Sequence, residues 1–126
     1  MTTNDDVLAA LAAIRKALKP GGILIFDNFD AARVFANFKA YIRDEIRSDG
    51  LTFVRESERS PNLKTGWTWN WDASYTVDDG RTKQQFQDRS ILRAFTPDEL
   101  RVFLTMAGFE PLRIARRSGI ILTVAR

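Results

Sequence analysis

The chain contains neither cysteine nor histidine. Without thiols there are no disulfides, no thiolate nucleophile and no cysteine-ligated zinc or iron–sulfur site. Without imidazole there is no serine–histidine catalysis, no histidine-bound metal and no ordinary general base near neutral pH. What remains for chemistry is carboxylate, Tyr, Lys and Arg. Glycine and proline are sparse, 7 and 4 of 126 residues, which excludes collagen-like and low-complexity chains. Unbroken apolar runs such as Ile23-Leu24-Ile25-Phe26 fall far short of the roughly 20 residues that a membrane-spanning helix needs. The opening Met1-Thr2-Thr3-Asn4-Asp5-Asp6 is acidic and polar, unlike a secretion signal, so the expected location is the cytoplasm. The net charge of +3 arises from 19 basic and 16 acidic residues that interleave along the chain, and the densest basic cluster is only Arg113, Arg116 and Arg117.

Against these absences stands an ordinary globular composition, 44% hydrophobic and 28% charged, expected to form a single domain over residues 1–126. Asn4 or Asp5 can cap a helix whose apolar positions Val7, Leu8, Leu11, Ile14 and Leu18 follow helical spacing, and Pro20-Gly21-Gly22 stops it. Ile23 to Phe26 then reads as a strand buried on both faces of a parallel-type sheet. From Asp30, the positions Val34, Phe35, Phe38, Tyr41, Ile42 and Ile46 mark one face of a second helix ending before Ser48-Asp49-Gly50. In the middle third the period changes. Trp67, Trp69, Trp71, Ala73, Tyr75 and Val77 alternate with polar residues, the pattern of a half-buried antiparallel strand. With Leu51 to Arg59 and Thr82 to Phe95 it makes an expected three-stranded antiparallel sheet inserted over residues 51–95. Thr96-Pro97-Asp98-Glu99 starts a third helix that Gly108 ends, and Phe109–Ala115 with Ile120–Ala125 closes the chain as a hairpin.

Each candidate site residue has a bland alternative. Asp27, Asn28 and Phe29 follow the buried strand, where α/β folds bind ligands, or they merely terminate it. Trp69 and Tyr75 can line a substrate pocket, although aromatic strand faces more often pack against a neighbouring element or subunit. Arg89, like Arg93, can hold a phosphate or carboxylate of a substrate, or pair with Asp72 or Glu58. Tyr41 and Tyr75 can serve as acid or base, or simply hydrogen-bond. Tryptophans on a sheet also suit single-stranded nucleic acid, but Gly66 to Gly80 carries Asp72, Asp78 and Asp79 and no Lys or Arg, which argues against that partner. No residue set is assigned to a metal, and no catalytic residue is assigned.

Two passages resemble a known family. Leu18-Lys19-Pro20-Gly21-Gly22-Ile23-Leu24-Ile25-Phe26-Asp27 is similar to a helix-to-strand passage of class I S-adenosylmethionine-dependent methyltransferases. Arg93-Ala94-Phe95-Thr96-Pro97-Asp98-Glu99-Leu100 with Ala107-Gly108-Phe109-Glu110 is similar to that family's later helix and hairpin. The inserted antiparallel sheet resembles the lid of sugar N,N-dimethyltransferases and glycine N-methyltransferase-like enzymes. The resemblance implies the C-terminal, substrate-facing half of a small-molecule methyltransferase: an α/β, partial Rossmann-like fold with residues 1–50 and 96–126 as core and 51–95 as lid. It implies S-adenosylmethionine as cofactor of the complete fold, yet no glycine-rich loop opens a helix after a strand here, so none is expected on this chain alone and the isolated chain is expected to be inactive. Fragment, truncated product and subunit of a split enzyme stay open, as does a non-catalytic binding or oligomerisation module. Because the strand at Ile23–Phe26 would lack its parallel neighbour, the expected partner is a second copy of the chain or a missing N-terminal half.

Overall fold

A computed structural model describes residues 2–126, which form two compact units. The first comprises the chain up to residue 38 together with 63–68 and 93–126; the second comprises 39–62 and 69–92.

In the first unit, helix α1 (Asn4–Ala17) is capped by Thr3, one residue before the expected caps, because Thr3 and Asp6 satisfy each other's backbone N–H groups in a capping box. Asp5 and Asp6 at its start and Arg15 and Lys16 at its end complement the helix dipole. Strand β1 (Leu24–Phe29) is longer than its apolar run. It pairs antiparallel with β7 (Ile120–Ala125) from Leu24↔Ala125 to Phe29↔Ile120, and β7 pairs with β6 (Pro111–Arg117), giving the order β1-β7-β6. The ladder carries the strand through Asp27 and Asn28, so these two lie inside β1 rather than beyond it. Its burial alternates instead of being complete on both faces: Leu24, Phe26 and Asn28 turn inward, whereas Ile25 is 63% exposed. Among the described residues the other edge of β1 has no strand beside it, but its C-terminal end is bridged in parallel fashion to Phe95, whose N–H donates to the Phe29 carbonyl and whose carbonyl accepts from Ala31 N–H, both at 2.9 Å.

Helix α3 (Pro97–Met106) forms as expected, with Thr96 and Glu99 in a capping box and Pro97 in the first turn. Its Leu100, Phe103 and Leu104 pack with Val7 and Leu11 of α1, with Phe95 and Phe109, and with Ile121 and Ala125 of β7 into one buried cluster. Asp30 joins the end of β1 to the hairpin. Its backbone N–H donates to the Gly119 carbonyl at 3.0 Å, and its carboxylate accepts from Ala32 N–H at 3.1 Å and from Arg116 Nε at 2.8 Å.

The expected second helix is mostly absent. Helix α2 spans only Ala31–Ala36, and Tyr41–Ser48 is strand β2. The apolar positions fit a helical period, but Tyr41-Ile42-Arg43-Asp44-Glu45-Ile46 also alternates. Asp49 and Gly50, with φ of 51° and 76°, form a two-residue turn that drives a hairpin. The second unit's sheet therefore has four strands rather than three, in the order β2-β3-β4-β5, with β3 at Leu51–Pro61, β4 at Trp67–Asp78 and β5 at Lys83–Ala94. Its ladders are antiparallel, with Tyr41↔Glu58 to Ser48↔Leu51 between β2 and β3 and Thr52↔Asp78 to Pro61↔Trp69 between β3 and β4.

Candidate functional site

Pleating divides Asp27, Asn28 and Phe29 between two faces of β1. Asp27 and Phe29 share the exposed face with Ile25, and Asn28 points the other way, toward the side that Leu24 and Phe26 bury. Asn28 Oδ1 is buried with no hydrogen-bond partner among the described residues. The carboxylate of Asp27 and the ring of Phe29 thus form a small amphipathic surface on an edge strand. Such a surface can take a hydrogen-bond donor and shield it from water.

In the second unit the candidates do not converge. Trp69 is 2% exposed, with the Arg59 guanidinium 5.7 Å from its ring centroid, so it is a packing residue. Burial holds the Arg59 guanidinium below its ordinary value. Tyr75 lies on the same face of β4 and sits opposite Arg55, which grips Asp44 through Nε at 3.1 Å. That hydrogen bond raises the pKa of Arg55, tightening an already permanent cation. Arg89 takes the bland role, pairing with Asp72 at 3.3 Å, and therefore belongs to the opposite face from Trp69 and Tyr75. That face holds a cavity of about 200 Å³ bordered by Tyr41, Glu56, Glu58, Asp72 and Arg89. Burial and neighbouring Glu56 push the Tyr41 phenol up, so it stays protonated at neutral pH. Among the described residues no group of three or more acids is arranged to hold a metal ion.

Arg93 pairs with an acid, but not with either of the expected partners. Its side chain is 2% exposed, paired at 3.6 Å with Glu99 rather than with Asp72 or Glu58, and its guanidinium lies over the rings of Phe95 and Phe103 at 4.8 and 5.5 Å. Nothing local in the sequence announces this burial, nor the pairing of Asp30 with Arg116, 86 residues away.

No glycine-rich loop leads from a strand into a helix among the described residues. The positive-φ glycines 21, 50, 66, 80, 108 and 119 sit in turns that open strands or join other elements, and β1 passes into α2 through Asp30-Ala31-Ala32 with no glycine. The backbone approach that a cofactor's carboxylate and ribose require is not built from these positions.

No family model matches the chain. Over 109 residues, 86% of this chain and 44% of the relative, it is 27% identical to the dTDP-3-amino-3,4,6-trideoxy-alpha-D-glucopyranose N,N-dimethyltransferase of Streptomyces venezuelae. The solved structure of DesVI from the same organism superposes with a TM-score of 0.81 at 25% identity, covering 98% of this chain and 51% of that one. A methyltransferase from Clostridium acetobutylicum that depends on S-adenosylmethionine gives 0.74 at 17% identity, with 98% and 51% covered, a likeness of fold alone. The chain thus spans about half the length of the proteins it matches. Its fold is half of a class I S-adenosylmethionine-dependent methyltransferase fold. Within that class its likeness is to sugar N-methyltransferases, and it is similar to their C-terminal half. No helix is long and apolar enough to cross a membrane among the described residues.

Proposed function

We propose that this chain supplies the acceptor-binding side of a small-molecule N-methyltransferase, with an amino sugar as acceptor, and that these residues alone do not carry out transfer. The observation that carries the reading is the match over 109 residues to an N,N-dimethyltransferase whose name specifies an amino sugar. An amine becomes a nucleophile when its lone pair is free and aimed. Asp27 accepts a hydrogen bond from one amine N–H and so points the lone pair away from β1. It then takes or relays the proton that the methylated nitrogen sheds. Phe29, beside it on the same face, keeps water from competing. Placement and exclusion of water suit a chain without histidine or cysteine.

The test pairs the chain with a polypeptide carrying the N-terminal half of the Streptomyces venezuelae enzyme and measures methylation of a dTDP-amino sugar. Transfer is expected only in the mixture, and Asp27→Ala lowers kcat by about 10- to 100-fold with little change in melting temperature. Unchanged turnover returns Asp27 to a strand residue. Micromolar binding of S-adenosylmethionine to the 126-residue chain alone, measured by calorimetry, overturns the expectation that this chain alone holds no cofactor.

We further infer a homodimer. Ile46, Phe53 and Val77 form a row across β2, β3 and β4, on the face that also bears Tyr75 and Trp71. Phe86 belongs to that face too, three residues from Arg89, which faces the other way. Ile46, Phe53 and Phe86 are exposed, and ahead of the Phe95 bridge one edge of β1 has no strand beside it among the described residues. A second copy covers such surfaces at no cost in specificity. Light scattering at micromolar concentration distinguishes it from a 14.4 kDa monomer.

A further inference from the structure

Of the three tryptophans, Trp69 is 2% exposed and Trp67, two residues earlier, is 39% exposed. The exposed indole is not loose. Its ring centroid stands 5.4 Å from that of Phe35, which in turn stacks on Phe38 at 5.4 Å with 21° between planes. Phe35 lies in α2, which begins two residues after β1 ends and so follows the Asp27–Phe29 segment closely in sequence.

The segment that presents Trp67 is braced from below. Leu63 and Gly66 hold φ of 55° and 62°, Leu63 N–H donates to the Thr68 carbonyl at 3.1 Å, and Thr68 N–H donates to the Gly66 carbonyl at 3.0 Å. Gly66 rests on the buried Arg93: a Cβ there would come within 2.7 Å of Arg93 Nη2. Arg93 is fixed in turn by Phe95 and Phe103, by Glu99, and by donation from Nη1 to the Thr2 carbonyl at 3.1 Å. An exposed aromatic on a pre-organised base loses little freedom when a ligand stacks on it.

We propose that Trp67, backed by Phe35 and Phe38, is a stacking wall for a flat ring carried by the acceptor. One indole face has room for one ring, the size of a small ligand and not of a protein partner. The chemistry it reads is a flat C–H or π face, which either a nucleobase or a pyranose ring presents. The inference rests on the acceptor-binding reading and deepens it, assigning a specificity surface separate from Asp27.

The test titrates the isotope-labelled chain with thymidine and, separately, with methyl glucoside, at millimolar concentrations, following the three indole N–H resonances. The expected result is a saturable shift of the Trp67 resonance by one ligand, with the Trp69 resonance unmoved. The ligand that acts identifies base or sugar as the stacked ring. Trp67→Leu then cuts saturation transfer to that ligand by about fivefold or more, whereas Trp67→Phe retains part of it. If neither ligand moves Trp67, or if all three indoles shift alike, the proposal fails, and the titration on the unaltered chain decides this even where Trp67→Leu does not fold. Methyl transfer is no part of the readout, so loss of the transferase reading and loss of the stacking wall are seen separately.

Discussion

The two units are held together by different physics. In the first, apolar side chains from α1, α3, β7 and the flanking Phe95 and Phe109 meet in one closed cluster, with Leu104 and Ile121 wholly removed from water. In the second, the buried side chains are Ser57, Trp69 and Ala73, while Ile46, Phe53 and Phe86 face solvent and ion pairs such as Arg55–Asp44 and Arg89–Asp72 lie on the surface. Exposed pairs of that kind contribute about 0–1 kcal/mol each. A core supplies the stability of the first unit; ladder hydrogen bonds and cross-strand contacts carry most of the second. Both units keep apolar side chains at the surface, Ile25 and Phe29 in the first and Ile46, Phe53 and Phe86 in the second, but only the first also closes a core.

The largest expected effect probes this contrast directly. Leu104→Ala should cost about 2–5 kcal/mol in urea unfolding, the range for opening a cavity in a closed core. Phe53→Thr should cost under about 1 kcal/mol in dilute solution, because a half-exposed cross-strand residue loses little. A Phe53→Thr penalty that grows with protein concentration sharpens the comparison, since it means that a second copy buries the face. Equal penalties for the two substitutions at every concentration break it.

Next in size come two glycines with similar backbone angles and different surroundings. At Gly50, φ is 76° and nothing lies within 4 Å of an added Cβ, so Gly50→Ala should cost only the strained backbone, about 1 kcal/mol. At Gly66, φ is 62° and the added Cβ also strikes the wedged Arg93 guanidinium, so Gly66→Ala should cost about 2 kcal/mol or more. Thermal melting of the two variants checks the order. Reversal would mean that Arg93 can move, which a rigid first unit does not allow.

Legibility from sequence follows the same division. Local signals were sufficient where one period and one cap agreed: the Thr96-Pro97-Glu99 start of α3, the Ser118-Gly119 hairpin and the alternation of β4 all stand as read. They failed between Asp30 and Ser48, where aromatic and β-branched residues satisfy two periods at once. Asp49-Gly50 was the tie-breaker, a hairpin signal read instead as a helix stop. Of the candidate site, the β1 residues were legible as a trio, but their division between two faces depends on how far the β7 ladder extends. The burial of Arg93, and Gly66 resting upon it, depend on contacts between distant segments, for which a single sequence carries no periodic mark.

The smallest effect concerns acid. Asp79, in the turn between β4 and β5, is held below its ordinary value of 3.8 by hydrogen bonds from the backbone N–H groups of Thr82 at 2.7 Å and Arg81 at 2.8 Å. Asp6 in the first unit is lowered likewise, chiefly by its hydrogen bond with Thr3. A carboxyl whose folded value is depressed contributes stability that is fully present above its unfolded value and is lost as pH falls through the folded one. Both contributions are therefore complete at pH 7 and decline below about pH 4. They act on different units: protonation of Asp79 loosens a turn of the sheet, and protonation of Asp6 frays a helix end whose Val7 and Leu11 remain packed in the core. The Thr82 amide resonance should shift as pH is lowered through that window while core amides of α3 stay put. Asp79→Asn keeps an oxygen that accepts both N–H groups but has no proton to gain, so it should flatten the Thr82 titration without changing the turn. If the Thr82 amide of Asp79→Asn titrates as it does in the unaltered chain, the acid response lies elsewhere, and the turn does not separate the two units in the way their hydrogen bonds indicate.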